Sequence, residues 1–450
     1  MSEKTELFKK SIKNKKITVL GIGVSNLPLI EFLAENGACV TACDKRSELG
    51  EESSKLKKYD IKYCLGENYL DSIDGEIVFK TPGMRYDLPQ LNAARKRGSI
   101  VTSEMEVFFD LCGAKIIAVT GSDGKTTTTT LISEMLKKQG FKVWVGGNIG
   151  RPLLGEIDNI KDTDMVVLEL SSFQLHTMKS SPNIAVVTNL SPNHLDMHKD
   201  MDEYVSAKKN IFLHQKKGDR LVLNYDNEIT RGFCAEAVNE PVFFSRKSEQ
   251  ENGVYLKDGV VYYQKEPVLR ADEIRIPGMH NVENYMAAIA ALWGMVSAEN
   301  IRSVAREFGG VEHRIEFVRE KDGVKYYNDS IASSPTRTAA GLKAFNQKVI
   351  LIAGGYDKHI PFDSFGADIK EHVKKLFLTG NTAQKIKEAA NNAGMYDVVM
   401  CPGFKEAVIL ASKSAKSGDV VILSPACASF DMFKNFAVRG ETFKKIVNEL

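Results

Sequence analysis

Short apolar runs rich in β-branched residues alternate along this chain with longer stretches whose apolar residues recur at helical spacing. Ile17–Gly21, Ala38–Cys43 and Glu76–Lys80 predict strands, and Ser25–Asn36 and Leu88–Arg97 predict helices. This alternation predicts a parallel sheet with helices on its faces. A second block runs from near Met105 to about Val311. Its predicted strands are Lys115–Thr120, Lys142–Val145, Met165–Leu170 and Ile184–Leu190. Val254–Tyr263 then reads as a hairpin turning at Asp258-Gly259, and helices at Met279–Met295 and Glu299–Phe308 close the block. A third block opens at His313 with a hairpin, Ile315–Asn328, turning at Asp322-Gly323. Strands at Lys348–Gly354, Lys375–Thr379, Asp397–Cys401 and Asp419–Leu423, each followed by a helical pattern, predict another doubly wound α/β unit.

At 450 residues the chain exceeds what one core holds, in keeping with several domains. Sixty Lys and Arg against 58 Asp and Glu leave no electrostatic footprint for nucleic acid. The lysine-rich start, Met1–Lys16, is followed only by the short apolar run Ile17–Leu20, which predicts neither a signal peptide nor a membrane span. The seven cysteines form no CxxC pair and predict free thiols in a cytoplasmic protein.

The most informative stretch is Thr120-Gly121-Ser122-Asp123-Gly124-Lys125-Thr126, set between a predicted strand and a helix-compatible run from Thr127 to Lys138. Strand, glycine loop, Lys-Thr and helix make a phosphate cradle. Gly121 and Gly124 permit a tight turn that aims N–H groups at one anion, and the helix start adds its orphan N–H groups and positive dipole end. Lys125 is expected to reach the terminal phosphates and the Thr126 hydroxyl a magnesium ion. The common phosphate loop has four residues between its glycines. Here only Ser122 and Asp123 intervene.

Gly21-Ile-Gly23-Val-Ser25-Asn26 follows a strand and opens a helix, with Asp44 about twenty residues on. This suits a nucleotide diphosphate, although Asn26 stands where a dinucleotide fingerprint has its third glycine. Read alone it also fits a nicotinamide-dependent oxidoreductase, which leaves the Gly-Lys-Thr loop unexplained. Glu169 ends an apolar strand, and Thr188-Asn-Leu-Ser-Pro-Asn-His194 ends another. An α/β sheet places metal ligands and bases at such strand ends, so Glu169, His194 and Lys125 are expected to share one sheet edge. Lys208, by spacing alone, reads as a solvated lysine on a cationic helix.

Taken together, these residues resemble the Mur ligases, ATP-dependent enzymes that form amide bonds in peptidoglycan synthesis. Leu423-Ser-Pro-Ala-Cys-Ala-Ser-Phe-Asp431, Phe436-Ala-Val-Arg-Gly440, Asn328-Asp-Ser330 and Gly354-Gly-Tyr-Asp-Lys358 are similar to motifs of the member that adds D-glutamate. The resemblance implies three domains: a Rossmann-like UDP-binding domain over residues 1–104, a central phosphate-loop ATPase over 105–311, and a doubly wound amino-acid-binding domain over 312–450. It implies UDP-N-acetylmuramoyl-L-alanine, D-glutamate and ATP as substrates, two magnesium ions, and a monomer in the cytoplasm.

Roles follow from the same resemblance. Ser25, Asn26, Asp44, Lys45, Arg46 and Thr81 would hold the uridine diphosphate, and Asn148 the sugar-peptide. Gly121–Thr127, with Asn281, Arg314 and Asp329, would hold ATP. Thr126, Glu169, His194 and Lys208 would hold the metals, Lys208 as a carbamate formed with carbon dioxide. Lys125, His194 and Lys208 would be catalytic, and Lys358, Ser424 and Phe430 would frame D-glutamate. Asn193 and Ile331 stand where many relatives carry Asp and Lys. The implied chemistry is phosphorylation of the alanyl carboxylate by ATP, then attack of the D-glutamate amine on the acyl phosphate. Closure of the third domain, with hinges at Ser103–Met105 and Gly309–Val311, is expected to keep water out.

Overall fold

The structure is a computed structural model and describes residues 3–191 and 198–450. Its residues cluster into two compact units, Met1–Ala271 with Glu283–Val304, and Asp272–Val282 with Ala305–Leu450.

The first unit holds two sheets. The first contains β1 (Lys16–Leu20), β2 (Cys39–Asp44), β3 (Lys62–Leu65), β4 (Ile77–Lys80) and β5 (Ile100–Thr102), in the order β3-β2-β1-β4-β5. All its pairs are parallel; helices connect β1 to β2, β2 to β3 and β4 to β5, and a run of turns over residues 66–76 returns the chain from β3 to β4. The second contains β6 (Lys115–Thr120), β7 (Val143–Gly147), β8 (Met165–Glu169), β9 (Ile184–Val187), β10 (Arg220–Asn224), β11 (Val242–Ser245), β12 (Gly253–Lys257), β13 (Val260–Tyr263) and β14 (Glu266–Arg270). Its order is β14-β13-β12-β11-β10-β9-β6-β8-β7. β6, β8 and β9 are apolar and buried, as a strand covered on both faces must be. β12–β14 form an antiparallel meander whose first turn takes Asp258 and Gly259 to φ +49° and +76°, the left-handed pair a two-residue hairpin requires.

The second unit carries β15 (Glu316–Lys321), β16 (Val324–Asn328), β17 (Val349–Ala353), β18 (Val373–Leu378), β19 (Val398–Met400) and β20 (Val420–Leu423), in the order β15-β16-β20-β17-β18-β19. β15 and β16 are the hairpin expected at Asp322-Gly323, and the remaining pairs are parallel. No helix among the described residues is long and apolar enough to cross a membrane.

One expectation fails. Ser103–Met105 is not a loose joint. All three residues are buried, Ser103 caps the helix Glu104–Leu111 by accepting the N–H of Glu106, and Glu104 accepts the N–H of Leu154 at 2.8 Å. One continuous apolar core, holding Ile17 and Val19 of β1 as well as Val166 and Leu168 of β8, seals the junction. Gly309–Val311 follows the change of unit after Val304, and Gly310 takes φ +111°.

Burial pushes the Glu104 carboxyl up to about 7 from an ordinary 4.5, against the hydrogen bonds from Leu154 and Leu153. The folded chain therefore keeps a proton that the unfolded chain loses, and stability falls as pH rises from about 4.5 to about 7. Glu104→Gln should remove this term. The difference in thermal unfolding midpoint between pH 5 and pH 8 is expected to shrink relative to wild type. An unchanged difference would show that Glu104 does not titrate in that window.

Candidate active site

β6 is the central strand from which the second sheet is wound in both directions, with β8 on one side and β9 on the other. Ligands of open α/β sheets bind at the carboxyl ends of strands at such a switch point. The loop Gly121–Gly124 leaves β6 here and runs into the helix Lys125–Lys138. Gly121 is obligatory. A Cβ would stand 1.9 Å from Thr188 Oγ1, and its φ is +151°. Gly124 takes φ +76°, and a Cβ there would lie 2.3 Å from Asn284 Oδ1. The segment after β9 braces the loop: Ser122 N–H donates to the Asn189 carbonyl at 2.8 Å, Asp123 N–H to Asn189 Oδ1 at 3.0 Å, and Thr188 Oγ1 to the Asp123 carbonyl at 2.6 Å. Ser122 and Asp123 thus have their N–H groups engaged, which leaves the first helical turn, from Gly124 through Thr127, as the anion-facing part of the cradle. The Lys125 ammonium folds back onto the loop, donating to the carbonyls of Gly121 (3.0 Å) and Ser122 (2.9 Å).

Glu169 ends β8 beside this loop with its side chain buried. Thr126 Oγ1 donates to Glu169 Oε2 at 2.7 Å and Asn148 Nδ2 to Oε1 at 2.8 Å. Three residues singled out in the sequence are therefore joined through one carboxylate. Lys208 departs from the solvated lysine that its spacing suggests. It is 2% exposed, and its ammonium donates to Thr120 Oγ1 and the Gly121 carbonyl, each at 2.9 Å. The Tyr204 ring, one helical turn earlier, lies 5.1 Å from it. Desolvation, then the neighbouring charge of Lys125, holds the Lys208 amine well below the ordinary lysine range, with Glu169 acting the other way. Both ammonium groups donate to the one carbonyl of Gly121, which explains that repulsion. His194, expected on this edge, lies outside the described residues.

In the first sheet, Asn26 is 1% exposed and donates to the carbonyls of Leu20 and Gly21, while its Oδ1 is buried without a partner. Ser25 and Asn26 line a cleft with Pro82, Ser103, Glu104, Gly147 and Gln174. The orphaned oxygen needs an N–H or O–H donor, which a bound ligand can supply. Asp44, at the end of β2, accepts Ile22 N–H at 2.7 Å and Arg46 N–H at 2.9 Å. Burial would raise its pKa, but the bonds from Arg46 and Ile22 outweigh burial and hold it below the ordinary value. Arg46 is turned inward onto Asp44, Glu52 and the Ile22 carbonyl, and Lys45 is exposed. The Thr81 side chain closes on Gly21, where a Cβ would lie 3.2 Å from Thr81 Cβ.

In the second unit, β16, β20 and β17 are adjacent and parallel, so Asn328-Asp329, Ser424 and Gly354 meet at one sheet edge. Ser424 is fully buried and donates to Asp329 Oδ2 at 2.6 Å. Burial pushes Asp329 up to about 7, opposed by the bonds from Ser424 and Ile315. Lys358 is exposed on the loop after β17. Phe430 is 63% exposed, with its ring edge-on to Tyr356 at 5.8 Å. Arg314 is exposed, and Asn281 is buried, with Nδ2 donating to the Pro277 carbonyl at 2.6 Å.

Sequence reasoning gave no role to Thr120, to Asn189, to Asn284 against Gly124, or to Thr338, whose Oγ1 accepts from Ser424 Oγ at 3.0 Å and from Ala426 N–H at 3.0 Å. A backbone brace or a close approach to glycine leaves no spacing signal. Tyr204 and Lys208 are different, because they stand four apart and share the buried face of one helix.

Models of known families match three stretches: the Mur ligase MurD-like N-terminal domain over residues 15–103, the Mur ligase middle domain over 119–292, and the Mur ligase glutamate ligase domain over 313–427. The chain is 59% identical over an alignment of 464 positions to the UDP-N-acetylmuramoylalanine–D-glutamate ligase of Acetivibrio thermocellus, covering all of both chains. It is 53% identical to the enzyme of that name from Ruminiclostridium cellulolyticum, again over both full lengths. Among solved structures it is similar to the UDP-N-acetylmuramate-alanine ligase MurC of Thermotoga maritima. That match has a TM-score of 0.60 at 22% identity, covers 97% of this chain and 99% of the other, and shows a shared fold.

Proposed function

This chain belongs to the Mur ligase family, and we propose on that ground how its residues add D-glutamate to UDP-N-acetylmuramoyl-L-alanine with ATP. The reaction forms an amide bond of the peptidoglycan precursor. The observation that carries the reading is the cluster at the end of β6, where Lys125, Thr126, Glu169 and Lys208 gather around one phosphate-type loop.

The alanyl carboxylate attacks the γ-phosphate of ATP and displaces ADP, which converts a poor acylating group into an acyl phosphate. The D-glutamate amine then displaces phosphate through a tetrahedral intermediate. Lys125 exchanges the carbonyls of its own loop for phosphate oxygens and offsets the charge that develops there. The donor set fits magnesium, since Thr126 Oγ1 and Glu169 Oε2 are hard oxygen donors already 2.7 Å apart. Asn148 keeps Glu169 oriented from its other oxygen. A second ion would draw on His194 and on Lys208 as its carbamate. Bound magnesium supplies charge neutralisation on the phosphate oxygens. Asn281, Arg314 and Asp329 keep their nucleotide roles as part of the same reading.

Ser25 and Asn26 receive the uridine diphosphate end of the sugar nucleotide, with Asn26 Oδ1 accepting from a hydroxyl or ring N–H of that nucleotide, since the diphosphate itself has no donor. Asp44, Lys45, Arg46 and Thr81 complete that end. Lys358 and Phe430, with Ser424 behind them, hold D-glutamate, whose carboxylates a cation suits. The domain division at 104/105 and 311/312, a monomeric state and a cytoplasmic setting belong to this reading too.

The test is the product formed from ATP, UDP-N-acetylmuramoyl-L-alanine and isotopically labelled D-glutamate. Its mass should rise by one labelled glutamyl residue, with ADP and phosphate released. Preference for L-alanine or a diamino acid would overturn the substrate assignment. Lys358→Ala should raise the KM for D-glutamate by about tenfold or more, the scale of one lost charge-assisted bond, and leave the KM for ATP unchanged. An unaltered D-glutamate KM would remove Lys358 from that site.

A further inference from the structure

Arg439 lies in the first turn of the helix Phe436–Glu449 and is among the largest side chains that are fully buried. Burying a guanidinium is costly unless its donors are matched. Here four matches are made and all four acceptors are neutral. Nε donates to Ser330 Oγ at 3.0 Å, one terminal nitrogen to the Ala428 carbonyl at 3.1 Å, and the other to the carbonyls of Ser330 (2.9 Å) and Cys427 (3.0 Å). A side chain needed only to fill space would not carry a charge. What the fork gains is geometry, because a planar guanidinium fixes several acceptors in one arrangement.

The acceptors belong to the loops that end β16 and β20. Between Pro425 and Cys427 the chain passes through Ala426 at φ +59°, a left-handed conformation unfavourable for a residue with a Cβ. Arg439 grips the two carbonyls that follow this strained residue. The third loop joins through the same carbonyl, since Tyr356 N–H donates to the Ala428 oxygen at 2.9 Å. Gly355 has no room for a side chain there: a Cβ would stand 2.3 Å from the Ala428 oxygen and 3.2 Å from the Arg439 terminal nitrogen. Ser330 closes the network by donating Oγ–H to the Phe436 carbonyl at 2.8 Å. One buried cation thus ties together the loops that carry Asp329, Lys358, Ser424 and Phe430.

We propose that Arg439 is a positioning residue for the amino-acid substrate: it holds the strained Pro425–Ala428 turn so that Lys358 and Phe430 are presented together to D-glutamate. This rests on the assignment of those residues to the D-glutamate site.

The experiment compares KM for each of the three substrates in wild type, Arg439→Lys and Ser330→Ala. Lysine keeps the charge but presents a point donor in place of the fork, and alanine at 330 removes one hydroxyl, which accepts from Arg439 Nε and donates to the Phe436 carbonyl. The D-glutamate KM is expected to rise about tenfold in Arg439→Lys, where the whole fork is lost, and about threefold in Ser330→Ala, where one hydroxyl is lost. The KM for the sugar nucleotide should stay within about twofold, the spread expected when no contact to that substrate changes, and the KM for ATP should rise less than that for D-glutamate, since Asp329 shares the Ser330 loop. An unchanged D-glutamate KM in both variants overturns the proposal. So does a parallel rise of all three KM values with a lowered unfolding midpoint, the mark of a purely structural arginine. If Arg439→Lys does not fold, Ser330→Ala decides alone by the same criterion. Failure here with a raised D-glutamate KM in Lys358→Ala leaves the site assignment standing, whereas failure of both removes the site.

Discussion

Lys125→Ala is expected to lower phosphate release about a thousandfold, the loss seen when a preorganised donor to developing charge is removed, while binding of the sugar nucleotide persists. The two readouts separate because the residues involved are separate. The cleft of Ser25 and Asn26 is built on the first sheet and on Ser103, Glu104, Gly147 and Gln174, and Lys125 does not line it. Lys125 instead donates to two carbonyls of its own loop, so alanine at this position removes those two bonds and leaves the β9 brace on Ser122 and Asp123 intact. The loop should keep its shape. A second consequence concerns Lys208. Removing the Lys125 charge removes the repulsion that helps depress the Lys208 amine, so that amine should titrate higher in the variant. Isothermal titration with UDP-N-acetylmuramoyl-L-alanine, run beside a phosphate-release assay, checks the main claim. Loss of both binding and turnover would point to a misfolded loop, and near-normal phosphate release would take Lys125 out of the chemistry.

The parts of this fold that the sequence disclosed are those whose signal is local. The glycine loop after β6, both Asp-Gly hairpins and the apolar strands β6, β8, β17 and β20 each announce themselves within a few residues. β3 and β5 do not. β3 is an edge strand with half-exposed side chains, and β5 has three residues, too few for a period. The joint at Ser103–Met105 is expected as a hinge only because the implied domain boundary at 104/105 falls there. It is instead a cap and a buried carboxylate, since Glu104 meets backbone N–H groups some fifty residues away. Sequence neighbours cannot reveal such a partner. The same holds for Arg439, which stood in a recognised motif without a stated task. Its acceptors, Cys427, Ala428 and Ser330, come together only after β16 and β20 have paired. Long-range pairing made these features unreadable.

Lys208 is the position where sequence spacing and structure disagree most, and the second large effect follows from that. Lys208→Ala should reduce ligation by at least about a hundredfold, and millimolar formate or acetate should restore a measurable part. The argument begins with burial. A lysine that is 2% exposed and packed on Tyr204 cannot keep its ammonium as cheaply as a surface lysine can. Desolvation and the charge of Lys125 both favour the neutral amine, and a neutral amine is the form that adds carbon dioxide. The product would be a carbamate, which exchanges a cation that repels metal for an oxygen ligand that attracts it. Thr120 Oγ1 and the Gly121 carbonyl now accept from the amine. The carbamate nitrogen retains one N–H for one of them, and the Thr120 hydroxyl, which now donates to the Leu170 carbonyl at 2.7 Å, keeps its lone pairs for that N–H. Rate in carbon-dioxide-depleted buffer should therefore fall and recover with bicarbonate. Lys208→Ala should lose that dependence and gain one on added carboxylate. The pair of responses matters more than either alone, because a purely structural lysine would give a slow variant that no small anion rescues. Wild-type rates in Lys208→Ala would remove this residue from the reaction.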